Sequence, residues 1–191
     1  MSIWIWVLIA VCVVLVIAAV VAAAVSASSR RRTQRLKGHY GSEYERLADE
    51  TGDPKAAEKE LTARERAHDD LNIVPLSKSA LTHFTYRWQQ VQTRFVDDPS
   101  RAVGEADRLV TEVMRERGYP VDDFEQRAAD ISVDHPQIVE NYRAAHGIHL
   151  SQRNGDVDTE QQREAFVHYR ALFARLLQTR KDNETSQEAS A

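Results

Sequence analysis

The chain reads as an all-α protein: an N-terminal transmembrane helix, a charged helical connector, then a compact bundle of about five amphipathic helices. Three observations predict this. Ile3 to Val25 is an unbroken run of 23 uncharged residues. From Leu81 onward, apolar residues return at steps of three and four, the period that lines up one face of a helix. Alternating apolar patterns are absent, and 7 glycines in 191 residues are too few for a set of hairpins. The expected divisions are an anchor over 1–29, a basic juxtamembrane segment over 30–37, a charged connector over 38–72, the bundle over 73–180 and a disordered tail over 181–191.

At about 1.5 Å per residue the first run makes a helix of roughly 35 Å, against a hydrocarbon core of about 30 Å. Arg30, Arg31, Arg32, Arg35 and Lys37 follow it, and no basic residue precedes it. The positive-inside rule then predicts a single membrane pass, N-terminus outside and the rest cytoplasmic, with those five residues facing anionic lipid headgroups. Trp4 and Trp6 fit the outer headgroup level. Cys12, the only cysteine, lies inside the span and makes no disulfide within the chain. A cleaved signal peptide ending at Ala27, releasing an exported helical domain, is the competing reading. It has small residues at Val25-Ser26-Ala27 but lacks a charged n-region.

The net charge is -4, and because residues 1–37 hold five basic and no acidic residues, the rest carries 20 basic against 29 acidic, or -9. Such a domain is a poor nucleic-acid binder, since phosphate contacts need clustered Lys and Arg.

In the connector, Ser42 to Glu45 has the form of a capping box. Thr51-Gly52-Asp53-Pro54 stops that helix and starts another, with Asp53 as cap and Pro54 at the first helical position. The second helix carries Lys55, Glu58, Lys59, Glu60, Arg64, Glu65 and Arg66 around a thin stripe of Ala57, Leu61 and Leu71, which predicts a solvated strut.

The bundle helices follow in order. Leu81, Phe84, Trp88, Val91 and Phe95 make the first stripe. Asp98-Pro99 opens the second, with Val103, Ala106, Val110, Val113 and Met114. Gly118-Tyr119-Pro120 ends it. Val121, Phe124, Ala128 and Ile131 mark the third. After His135-Pro136 come Ile138, Val139, Tyr142, Ala145, His146 and Leu150, closed by Asn154-Gly155. A capping box over Thr159 to Gln162 opens the last, with Phe166, Tyr169, Leu172, Phe173, Leu176 and Leu177. Asp97-Asp98 and Asp122-Asp123 sit where carboxylates cap helices, and capping accounts for them without an acid/base pair.

Several stretches together resemble a group of single-span membrane proteins of actinobacteria that has no assigned function. They are Gly41 to Tyr44, Trp88 to Gln92, Arg94 to Pro99, Ala106 to Val110, Arg117 to Pro120, Phe124 to Asp130, Val133 to Pro136, Asn141 to His146 and Val167 to Phe173. The resemblance covers most of 40–178. It implies a bacterial plasma membrane and a domain of that extent, and no reaction, cofactor or partner.

No G-x-x-x-x-G-K, G-x-S-x-G, H-E-x-x-H or C-x-x-C occurs. The remaining chemistry is histidine: His146 and His149 three apart, His135 upstream and His168 on the last helix, which together with Glu140 or Glu164 would be needed to hold a metal. The bland alternative has His135 helping to cap a helix and His146 and His168 at the core edge. The expected function is a membrane-anchored interaction module with a protein partner, no cofactor and no catalytic residue. The alternatives are a metal-dependent enzyme using the His cluster and the exported domain.

Overall fold

The computed structural model describes residues 3–152, 155 and 157–188, with side chains described for 4, 12, 15–17, 19–21, 23 and from 26 to 178 within that set. It is all-helical, with no strand among the described residues: α1 (Ile3–Tyr40), α2 (Ser42–Thr51), α3 (Pro54–Asp69), α4 (Lys78–Asp97), α5 (Pro99–Arg117), α6 (Phe124–Asp134), α7 (Pro136–Gln152) and α8 (Thr159–Glu188).

The membrane expectation is corrected. Among the described residues no helix is long and apolar enough to cross a membrane, which overturns the single-pass topology and the plasma-membrane localisation. Much of the apolar run, Trp6 included, has side chains outside the described set, so no continuous apolar stretch of bilayer length lies within it. The helix also ignores the expected boundary at 29. It continues to Tyr40, and its last turns fold into the protein: Leu36 and Tyr40 are buried. Two of the five basic residues have protein partners on α3, Arg35 with Glu65 at 2.7 Å and Arg32 with the Thr62 hydroxyl. Lys37 stands over the Tyr44 ring.

The end of α1, α2 and α3 form a small unit, here called the cap. Leu36, Tyr40, Tyr44, Leu47, Ala57 and Leu61 bury one another in a core of their own. The thin stripe of α3 is therefore packed, not solvated, because α1 and α2 supply the partners that its own sequence does not reveal. Gly41, at φ 52°, breaks α1 from α2 and stands at the N-cap, so Ser42 is the first helical residue and makes no capping bond. Asp53 caps α3 as expected, accepting from the Lys55 N–H.

Helices α4 to α8 make the bundle, around a larger core that runs from Leu76 to Leu176. The stripe of α5 is fully buried, with Ala102 and Leu109 added to the expected residues. Trp88 stacks between Phe173 (4.6 Å between centroids) and Phe166 (5.2 Å), joining α4 to α8. Leu150 departs from expectation: it is exposed, on the outer side of α7. Asp98, Asp123 and Ser77 cap α5, α6 and α4 through side-chain oxygens. The capping box of α8 is formed one residue earlier than expected, by Asp158 and Gln161 bonding reciprocally. Of the expected tail, 181–188 continue α8, while 189–191 lie outside the described residues, as does Asn154.

Gly118 ends α5 at φ 95°, and a Cβ there would stand 2.5 Å from the Asn72 carbonyl oxygen. Both conformation and space exclude a side chain, which lets the 70–77 linker lie against α5 with the Val74 N–H bonded to the Arg117 carbonyl at 2.8 Å.

Two substitutions test this packing by chemical denaturation. Trp88→Ala should cost about 3–5 kcal/mol, and a variant as stable as the parent would refute the stack as a core element. Where φ suits alanine, replacing glycine stabilises slightly; Gly118→Ala should instead cost at least the roughly 1–3 kcal/mol of left-handed strain, because the linker backbone must shift as well.

Candidate functional site

The polar groups of interest gather in three places, and in the first two a carboxylate falls in phase with buried neighbours of its own helix. Glu43 lies four residues before buried Leu47, so α2 turns it inward, where it is 2 % exposed. Three guanidinium groups meet it: Arg46 from its own helix (2.9 and 2.8 Å), Arg64 from α3 (2.9 Å) and Arg143 from α7 (3.4 Å). Burial pushes the Glu43 carboxyl up, but the arginines outweigh it and hold it below its ordinary value. Glu50, Glu60 and Glu125 pair with the outer sides of the same arginines. The charges are compensated, so the cluster ties α2, α3 and α7 together instead of offering a vacant cation to an anion.

Asp107 is the second. It follows Val103 by four and precedes Val110 by three, and α5 points it at α7 and α8. Tyr169 donates to it at 2.9 Å, and His146 Nδ1 stands 3.6 Å away, an ion-pair distance longer than a hydrogen bond. His146 is also stacked flat on Phe124, 3.7 Å between centroids. Burial raises the Asp107 carboxyl, but His146, Tyr169 and the nearby His149 together hold it low. His149 packs over Gly104, where an added Cβ would meet the imidazole at 3.2 Å. Deeper in, Arg127 donates to the Tyr142 hydroxyl (3.1 Å) and the Val121 carbonyl (3.1 Å).

The third is the C-terminal end of α6. His135 is the residue after the helix; its backbone N–H closes on the Ile131 carbonyl at 2.8 Å. Its ring is buried without a hydrogen bond to either nitrogen. Burial therefore drives the imidazole down to about 4, with Arg175 and Arg117 adding to the effect against Asp134. Asp134 beside it accepts from His68 at 3.0 Å and from the Tyr119 hydroxyl.

The four histidines read from the sequence are thus not one site. His146 and His149 share the Asp107 neighbourhood, with ring centroids 6.3 Å apart. His135 sits at the α6 end, and His168 pairs along α8 with Glu164 at 3.6 Å. Among the described residues no group of three or more His, Cys, Asp or Glu is placed to hold a metal ion. Glu43, Asp107 and Asp134 escaped the sequence reading, although a carboxylate in register with buried neighbours marks the first two. The described clefts lie elsewhere. One of about 540 Å³ runs between α2 and α3, lined by Leu47, Ala56 and Ala63 with Lys59 and the ion-paired Arg46, Glu50, Glu60 and Arg64. Another of about 400 Å³ lies beside Ser77, His83 and Arg87.

No family model, no curated protein and no solved structure matches this chain. The resemblance to actinobacterial membrane proteins gains no support from these comparisons.

Glu43→Gln withdraws the buried carboxylate from three guanidinium groups whose outer sides stay paired with Glu50, Glu60 and Glu125, so the variant should cost about 1.5–3 kcal/mol in urea denaturation at pH 7, the worth of charge-assisted hydrogen bonds. A loss under 1 kcal/mol would show that the cluster is solvated. His135, neutral in the fold, contributes stability that is present above pH 6.5 and lost as pH falls toward 4. His135→Phe should flatten that limb by up to about 3 kcal/mol. An unchanged slope between pH 6.5 and 4 would show that the ring is not shielded from water.

Proposed function

We propose that this chain is a helical interaction module that presents α1 to a protein partner. The observation behind this is the contrast between the two ends of one continuous helix. Toward its C-terminus Leu36 and Tyr40 are buried in the cap, while Trp4, Leu15, Val16, Ile17, Val20 and Val21 are all more than half exposed. Exposed apolar surface such as that gathered over Leu15, Val16, Ile17, Val20 and Val21 marks a binding surface in a folded protein. The arm from Ile3 to Arg32 spans about 45 Å at helical rise, long enough to lie along an apolar groove or a helix of a partner.

The bundle supplies a fixed base for that arm. Its core runs through α4 to α8, and the Glu43 and Asp107 clusters are internally compensated, so each fastens helices to one another. Because α1 enters the cap without a break until Gly41, a partner held on the arm is also held at a set orientation to α2 and α3.

A photo-crosslinking residue at Val20 of the tagged full-length chain, recovered in mild detergent, should capture a specific partner. The same residue at exposed Val96 on α4 should capture little. Replacing Leu15, Val16 and Val20 together with serine should lower recovery of that partner at least about tenfold. Equal capture at both positions, or no capture at Val20, overturns the reading.

A further inference from the structure

Three histidines from three parts of the chain meet at consecutive residues of the α6 end. His39 of α1 donates to the Val133 carbonyl at 2.9 Å. His68 of α3 donates to Asp134 at 3.0 Å. His135 follows, buried. The first two belong to the cap, the third to the bundle.

The seam they occupy is polar. The apolar residues of the cap close on one another, and those of the bundle form a separate core. The side-chain hydrogen bonds and ion pairs across the seam include His39 to Val133 and His68 to Asp134 at one end, and Glu43 to Arg143 at the other. Beyond α3 the linker is held against the bundle from Asn72, whose carbonyl lies over Gly118, and Ile73 packs on the bundle core, which leaves Asp70 and Leu71 between the last turn of α3 and the first fixed point on the bundle.

We propose that this seam is a proton-operated latch: when His68 loses its proton, α3 lifts from α6 on the hinge at Asp70 and Leu71, pivoting about the Glu43–Arg143 pair, and the α1 arm turns with it as His39 leaves the Val133 carbonyl. The groups facing the latch come from every element packed there. His68 faces Asp134 and Asp130 of α6, Asp69 of its own helix and the Tyr119 ring at 6.2 Å. Asp130 also feels Arg64 of α3 and Asp123. Asp134 faces His68, Tyr119 and His135, and His135 faces Arg175 of α8 and Arg117 of α5.

The hydrogen bond to Asp134 raises the His68 imidazole above its ordinary 6.5; burial opposes this, and the charges of Asp134, Asp130 and Asp69 add to it. Its contribution to docking is complete below pH 6.5 and lost as pH rises through the folded value. His135 acts in the opposite sense and at lower pH, so the two separate along the pH axis. The inference is independent of what binds α1.

The test is a distance measurement on the full-length chain. Spin labels go on cysteines replacing exposed Arg66 of α3 and exposed Gln137 of α7, with Cys12→Ser. A single short distance is expected at pH 6, with a longer population that grows severalfold by pH 8.5. His68→Gln should abolish that pH response, and His68→Lys, which keeps the positive charge, should hold the short distance at pH 8.5. One unchanged distance from pH 6 to 8.5 in the labelled parent overturns the latch, whatever the variants do. So does a pH response that survives in a folded His68→Gln chain.

Discussion

Glu43 sets the geometry of this protein. A carboxylate removed from water costs several kcal/mol unless opposite charges and hydrogen bonds surround it, and here Arg46, Arg64 and Arg143 do so from α2, α3 and α7. The requirement is directional, since each guanidinium must present an N–H to one of two oxygens. Apolar contact alone would let the cap slide on the bundle with little penalty. A shared carboxylate does not, and the angle at which α1 leaves the molecule follows from it.

That arrangement has an energetic consequence. Apolar burial is non-directional and grows with area, so a continuous core welds helices together. This chain has two cores with a polar seam between them. Hydrogen bonds and ion pairs at a partly wet seam return only about 1 kcal/mol each, net of the water they displace. Each core therefore holds its own helices more firmly than the seam holds the cores to each other. Local opening along the seam is the low-energy motion this construction permits.

The bundle was legible in the sequence because helix period and burial coincide there. Val103, Val110 and Val113 share one face, and only a helix buried on that side makes sense of the spacing. Caps were legible to within a residue, since Asp53, Asp98 and Asp123 precede proline or an apolar run. The box at Asp158 and Gln161 was read one position late because Thr159 and Gln162 satisfy the same pattern. The cap was misread for a different reason. Ala57 and Leu61 are too few to show a core face on local evidence, their partner Leu36 falls in the stretch that reads as a basic juxtamembrane segment, and Tyr40, though inside the connector, has no stripe of its own to reveal it. Hydropathy placed the boundary at 29, and the backbone does not respect it.

The same reasoning separates the candidate residues. His146 and His149 looked like ligands because they are three apart, but spacing along one helix says nothing about what stands across from it. Across from His146 are one carboxylate and the face of Phe124, a setting that orients an imidazole without completing a coordination shell. At the α6 end, by contrast, no sequence spacing connects His39, His68 and His135, yet the fold delivers them to adjacent residues. Two of them touch that helix end from outside the bundle core and the third lies within it. Proton uptake at His68 therefore strengthens the seam, while uptake at His135 weakens the bundle beneath it. Charge at this one helix terminus acts on both units with opposite sign.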